Sequence, residues 1–248
     1  MNHKLIFVEG LPGTGKTTLS EYIFNLLINH GIKTELLLED NAKIPSNFRD
    51  IAGIPKSINI NVPFDNCQVI ETGNYFYVNI RNCDEKSATL LTQYDIGDEF
   101  NKLVSVQEYM RCTLEWWRYW TEESIRDSVL VLDSAFMQCP INEMIFRGAS
   151  DSEIMEYIRR IAETIKPYNP ICIYLRRESA DIAINFAKVV KGEVWAKGLD
   201  GLEKIGCTNL FERRFTLENT LISEAPSIVC TITDFDWSDA ITKVKSLI

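Results

Sequence analysis

Residues 10 to 17 read Gly10-Leu11-Pro12-Gly13-Thr14-Gly15-Lys16-Thr17, the pattern G-x-x-x-x-G-K-[ST]. Glycine visits positive φ at little cost, so Gly10, Gly13 and Gly15 let the backbone curl into a tight loop. Such a loop turns several N–H groups inward at one anion. Its flanks set it between a strand and a helix. Lys4-Leu5-Ile6-Phe7-Val8 is a short apolar run rich in β-formers and reads as a buried strand. Leu19, Ile23, Leu26 and Leu27 make a helical apolar stripe that stops at His30-Gly31. The helix starting at Lys16 adds the positive end of its dipole. Lys16 supplies a mobile cation for outer phosphates, and the Thr17 hydroxyl can ligate Mg²⁺. The expected phosphate cradle is Gly10, Leu11, Pro12, Gly13, Thr14, Gly15, Lys16, Thr17 and Thr18.

Further along, apolar runs and helical patterns alternate. Lys33 to Leu38 reads as a second strand ending in Glu39-Asp40, and Asn41 to Lys56 as loop and short helix broken at Pro45 and Pro55. Gln68 to Ile80, turning at Thr72-Gly73-Asn74, reads as a β-hairpin inside a 57–95 insertion. A long helix is expected from an Asp98 cap to about Asp127, then a buried strand over Ser128–Asp133. Ser150-Asp151-Ser152-Glu153 has the form of a capping box for a helix through Ile165, which Pro167 stops. Strands over 171–175 and 227–232, helices around 178–190 and 208–223, and a closing helix after Trp237-Ser238 complete the pattern. A glycine-interrupted polar stretch is expected from Lys191 to Gly206. Alternating strands and helices imply an α/β fold: a parallel sheet covered on both faces. The 248 residues, 46% of them hydrophobic, suit one domain over 1–248, with 57–95 as a lid-like insertion.

Composition narrows the setting. The net charge of −9 repels nucleic-acid backbones, so no nucleic-acid partner is expected. No run of 18 apolar residues occurs, and a strand begins within four residues of the start, so neither a membrane span nor a signal peptide is expected. Seven widely spaced cysteines (Cys67, Cys83, Cys112, Cys139, Cys172, Cys207 and Cys230) without a C-x-x-C read as reduced, mostly buried thiols of a cytoplasmic protein.

Several side chains carry candidate chemistry. Asp133 follows four apolar residues on a buried strand, where phosphoryl-transfer sites place the carboxylate of the Mg²⁺ shell. Glu39 and Asp40 end the second strand, and in an open α/β sheet ligands bind beyond the carboxyl ends of strands. Either can take the proton of an acceptor hydroxyl. Arg176 and Arg177 close another strand, and Arg213 and Arg214 sit on a late helix. Guanidinium forks suit the equatorial oxygens of a transferring phosphoryl group. Trp116, Trp117 and Trp120 are read as core first and as stacking platforms for a planar acceptor second, with the same ambiguity at Tyr75, Phe76 and Tyr77.

The order of these elements resembles the P-loop nucleotide and nucleoside kinase group, with thymidylate-kinase-like proteins the nearest characterised branch. Glu9 through Thr17, Asp133-Ser134-Ala135-Phe136-Met137-Gln138-Cys139-Pro140 and Lys166 through Leu175 are similar to a family of uncharacterised bacterial P-loop proteins. The kinase resemblance implies a three-layer α/β/α P-loop NTPase fold and use of ATP with Mg²⁺. The chain departs from it after Asp133, where Ser134-Ala135 stands in place of an acid followed by arginine, and in lacking a clear arginine-rich lid between 177 and 206. The expected function is phosphotransfer from a nucleoside triphosphate to a small-molecule hydroxyl or phosphate. The alternative is a nucleotide-binding regulatory module or slow NTPase. A homodimer is left open, because nothing in the sequence sets oligomeric state.

Overall fold

Five short strands rich in aliphatic residues make the central layer. They are β1 (Leu5–Gly10), β2 (Thr34–Leu37), β6 (Val129–Asp133), β7 (Ile171–Arg176) and β8 (Ser227–Thr231). The order across the sheet is β2-β6-β1-β7-β8 and every pairing is parallel. The computed structural model describes residues 3–41, 43–58, 67–98, 100–125, 127–204, 209–224, 226–234 and 236–247.

Successive side chains on a strand face opposite ways, and the core divides accordingly. Ile6, Val8, Val131, Ile173 and Leu175 pack against α1 (Lys16–Asn29) and α8 (Ser238–Lys245). Leu5, Phe7, Leu130, Leu132 and Tyr174 pack against α3 (Val106–Ser124), α4 (Gln138–Phe146), α5 (Asp151–Ile165) and α7 (Leu210–Ile222). Helices therefore cover both faces, and burial on both sides explains why the strands read as unbroken apolar runs.

The expected strands of this sheet are present within a residue or two. The α5 capping box is also present, with Ser150 and Glu153 each bonding the other's backbone. Other boundaries differ. Residues 51–55, expected as loop, form β3 (Ile51–Pro55), which pairs antiparallel with β5 (Tyr75–Asn79). β5 in turn pairs with β4 (Val69–Glu71), giving a second sheet. The insertion thus begins before residue 57 and includes the unforeseen α2 (Glu85–Leu91), while residues 59–66 lie outside the described residues. α3 starts at Val106, not after Asp98. Ser105 caps it by accepting the Glu108 N–H, while the Asp98 carboxylate caps only a local turn at Phe100. The helix expected to end near residue 190 continues as α6 (Ala180–Lys204), broken at Gly192, where φ is 81°.

The hairpin aromatics are packing groups. Tyr75 and Tyr77 share a face, as the period of two requires, and their hydroxyls donate to Glu108 (2.9 Å) and to the Cys112 carbonyl (2.7 Å) on α3. Trp117 and Trp120 are core. Trp116 is half-buried against Tyr77 and Phe48.

The expectation of seven reduced thiols is overturned at two positions. Cys67 and Cys83 form a disulfide across a Cα–Cα distance of 4.9 Å. Cys67 precedes β4 and Cys83 follows β5, so antiparallel pairing of those strands returns the two to one edge. Wide sequence spacing concealed this, and the inference from cysteine usage to a reducing compartment loses its basis. Cys112, Cys172 and Cys230 are free and buried, Cys139 is free and half-buried, and Cys207 lies outside the described residues. Among the described residues no helix is long and apolar enough to cross a membrane.

Candidate functional site

β1 is the central strand, with β6 on one side and β7 on the other. Its carboxyl end opens directly into the 10–17 loop, and α1 begins at Lys16. Gly13 and Gly15 hold φ of 79° and 90°. Each is also hemmed in: a Cβ on Gly13 would lie 2.8 Å from Ala187 of α6, and one on Gly15 would lie 2.7 Å from the Trp237 ring. The loop is tied internally by Thr14 Oγ1 donating to the Leu11 carbonyl (2.8 Å), and externally by Trp237 Nε1 donating to the Thr14 carbonyl (3.1 Å). Lys16 is buried and its ammonium donates to the Leu11 carbonyl at 3.2 Å. Burial holds that ammonium below its ordinary pKa, opposed by the Asp133 carboxylate. Thr17 and Thr18 are exposed on the first turn of α1.

Asp133 lies level with Val8 on the adjacent strand. One carboxylate oxygen accepts from Thr17 Oγ1 at 2.6 Å and the other from Ser134 Oγ at 2.8 Å. Ser134 is fully buried with φ of 64°, a conformation that β-carbon-bearing residues rarely adopt. That turn, in the place where the kinase resemblance expects an acid and arginine, orients the Asp133 carboxylate. The Thr17–Asp133 pair presents a hydroxyl and a carboxylate to one point at the mouth of the loop. Hard cations such as Mg²⁺ take oxygen ligands of this kind, usually one or two from protein with the rest from phosphate and water. Among the described residues there is no group of three or more His, Cys, Asp or Glu able to enclose a metal alone.

Behind the loop runs a buried polar network. Glu9 is fully buried and accepts the backbone N–H groups of Phe136 (2.7 Å) and Gln138 (3.0 Å). Burial pushes its carboxyl up to about 7, with Glu218 adding to the rise. Arg214 and Glu218 form an ion pair at 2.7 Å with both side chains almost wholly buried. Arg214 also reaches the Gly10 carbonyl (3.4 Å) and Gln138 Oε1 (3.3 Å), while Tyr174 donates to Glu218 at 2.9 Å. Gln138 Nε2 donates to Glu39 at 2.7 Å. Glu9 ends an apolar strand and Glu218 follows Arg214 by four residues. Both were visible signals. Gln138 gave none.

The other expected residues divide. Glu39 and Asp40 are exposed at the end of β2 and border a cavity of about 690 Å³ that also touches Thr17 and Asp133. Arg176 is exposed one residue beyond Leu175, the strand partner of Gly10, and lines a different cavity at the β7–β8 edge. Arg177 is buried, stacked 3.8 Å over the Phe186 ring and donating to the Asp234 carbonyl, and burial lowers its pKa. It braces α6 against the loop after β8. Arg213 is not brought to this site: it bonds Asp151 and the Ala149 carbonyl, both at 2.6 Å, at the start of α5.

No known protein-family model matches the chain, and no curated protein matches it significantly.

Proposed function

We propose that the chain is a P-loop phosphotransferase that binds ATP with Mg²⁺ and passes the γ-phosphoryl group to a small-molecule acceptor. The observation that carries this reading is the 2.6 Å bond between the Thr17 hydroxyl and the Asp133 carboxylate, at the mouth of a glycine-rich loop that leaves the central strand. The backbone N–H groups of residue 11 and residues 13–17 and the dipole of α1 hold the phosphates, and Lys16 leaves the Leu11 carbonyl to meet the outer ones. Thr17 and Asp133 would hold Mg²⁺, which would supply positive charge to offset that of the phosphate oxygens. Glu39 or Asp40 takes the acceptor's hydroxyl proton as that oxygen bonds the γ-phosphorus, the β–γ bridging bond breaks and ADP departs. Gln138 orients Glu39 for this role. The hairpin of the insertion walls a second chamber of about 430 Å³ that includes Asp40, Tyr77 and Trp116, a position suited to a cover excluding water.

Lys16→Ala tests the reading. Nucleotide turnover falls by at least a hundredfold while the melting temperature moves by only a few degrees. Unchanged turnover in a folded variant would remove the proposal. Tight Mg²⁺–ATP binding that no metabolite converts to faster ADP release would instead favour a regulatory nucleotide-binding module.

A further inference from the structure

The 690 Å³ cavity beside Asp133 lies within the usual range for small-ligand sites, roughly 300–1,000 Å³. Its wall is acidic. Glu39, Asp40, Asp133 and Glu143 face it, and Arg49 is the one cationic side chain among the described lining residues. Two further polar groups line it with no protein partner. Ser46 is 7% exposed and its Oγ is unsatisfied, and the buried Asn142 Oδ1 is likewise unsatisfied. An unmade hydrogen bond at a buried polar atom costs about 1–3 kcal/mol, so these atoms call for a partner that arrives with the ligand. Asn142 Oδ1 can only accept. Ser46 Oγ both donates and accepts.

The fold explains why these groups converge. Ser46 sits in the loop after β2, held by a buried Ile44 and Phe48 on either side, and Asn142 and Glu143 project from the second turn of α4. The cavity thus spans from the end of β2 to α4, with Thr17 and Asp133 at one end.

We infer that this cavity is an acceptor site for an amine-bearing polyhydroxyl molecule, an amino sugar or aminocyclitol, in its protonated form. The inference rests on the phosphotransferase reading for its direction and names the acceptor class of that same site. An ammonium satisfies the carboxylates and donates to Asn142, and neighbouring hydroxyls pair with Ser46. A phosphorylated acceptor meets the wrong field: one guanidinium against three carboxylates, once Asp133 is occupied with the metal. The adjoining chamber shares Asp40, Phe48 and Arg49, and its Trp116 face can receive a second cationic ring.

Calorimetric titration of the full chain decides it, with and without Mg²⁺–ATP. The probes are glucosamine and 2-deoxystreptamine as amines, glucose and N-acetylglucosamine as neutral forms, and glucose 6-phosphate as the anion. At least one amine should bind ten times more tightly than the neutral and phosphorylated probes. Ser46→Ala and Asn142→Ala should each weaken that amine at least fivefold and leave Mg²⁺–ATP affinity within twofold. Equal or tighter binding of the neutral or phosphorylated probes would overturn the inference, as would failure of both amines on a protein that binds Mg²⁺–ATP. Amine binding without any Mg²⁺–ATP binding would keep the cation site and remove the phosphotransferase reading.

Discussion

Two adjacent arginines on α7 should respond very differently to the same substitution. Arg214 is 1% exposed and Glu218 is wholly buried. The guanidinium makes two bonds to one carboxylate oxygen (2.7 and 2.9 Å) and reaches Gln138 and the Gly10 carbonyl besides. Arg214→Met removes all of these and leaves the Glu218 carboxylate in the core with only the Tyr174 hydroxyl. Breaking a buried pair from one side costs about 3–5 kcal/mol, because an uncompensated charge remains. Arg213 is also doubly bonded, but its side chain is 31% exposed and its partner Asp151 is 62% exposed. Water replaces what Arg213→Met removes, so the cost is about 1 kcal/mol or less. For a chain of this size roughly 2–4 °C of melting temperature accompanies each kcal/mol. Thermal melts of the two variants should separate by about 4 °C or more, with urea midpoints falling in the same order. Adding Glu218→Leu to Arg214→Met should recover most of the loss, apart from about 1 kcal/mol for the stranded Tyr174 hydroxyl. Equal destabilisation by the two single substitutions, or no recovery in the double variant, would refute the reasoning.

Under the proposed function the Asp133 carboxylate acts through the ion, so Asp133→Asn should weaken Mg²⁺–ATP binding at least tenfold and metal-free ATP by much less. Titrations with and without Mg²⁺ read the difference. The Glu9 carboxyl rises from 4.5 to about 7 on folding, so between those values the folded chain holds a proton that the unfolded chain releases. Its contribution is therefore fully present below pH 4.5 and is lost as pH rises through 7. The total is on the order of 3 kcal/mol, and urea midpoints across this range should show a slope that Glu9→Gln flattens. Proteolysis without reductant should yield one peptide pair joined through Cys67 and Cys83, while buried Cys112, Cys172 and Cys230 resist thiol reagents until the chain unfolds.

The central sheet and its order of elements were readable because strands buried on both faces announce themselves as apolar runs. The glycine spacing likewise located the loop at the end of β1, and a lone carboxylate closing a buried run located Asp133. What escaped the sequence depends on contacts between distant residues. Ile51-Ala52-Gly53-Ile54-Pro55 has two breaker residues and becomes a strand only because β5 is there to pair with it. A dipeptide of arginines gives no hint that residue 213 faces water and residue 214 the core, since successive helical positions differ by about 100°. Ser46 and Asn142 are ordinary polar residues until the fold buries their oxygens without partners.

The buried network also bears on why no arginine follows Asp133. At that position the backbone turns through Ser134 with positive φ, and the Ser134 side chain points back to the Asp133 carboxylate instead of out toward a ligand. The longer side chain of an arginine there would carry its guanidinium past the adjacent carboxylate into the cleft lined by Glu39, Asp40 and Glu143, where it would cancel part of the acidic field that Ser134 leaves intact. Arg214, almost wholly buried on this side of the sheet, faces the back of the loop, bonded to the Gly10 carbonyl and not to the space in front of it. Gln138 then joins the two sides, its carbonyl receiving Arg214 and its amide holding Glu39. Behind the loop the charge of Arg214 is cancelled by its Glu218 partner, while in front Glu39, Asp40 and Glu143 outnumber Arg49, which is the field that the proposed cationic acceptor requires and a second phosphate does not.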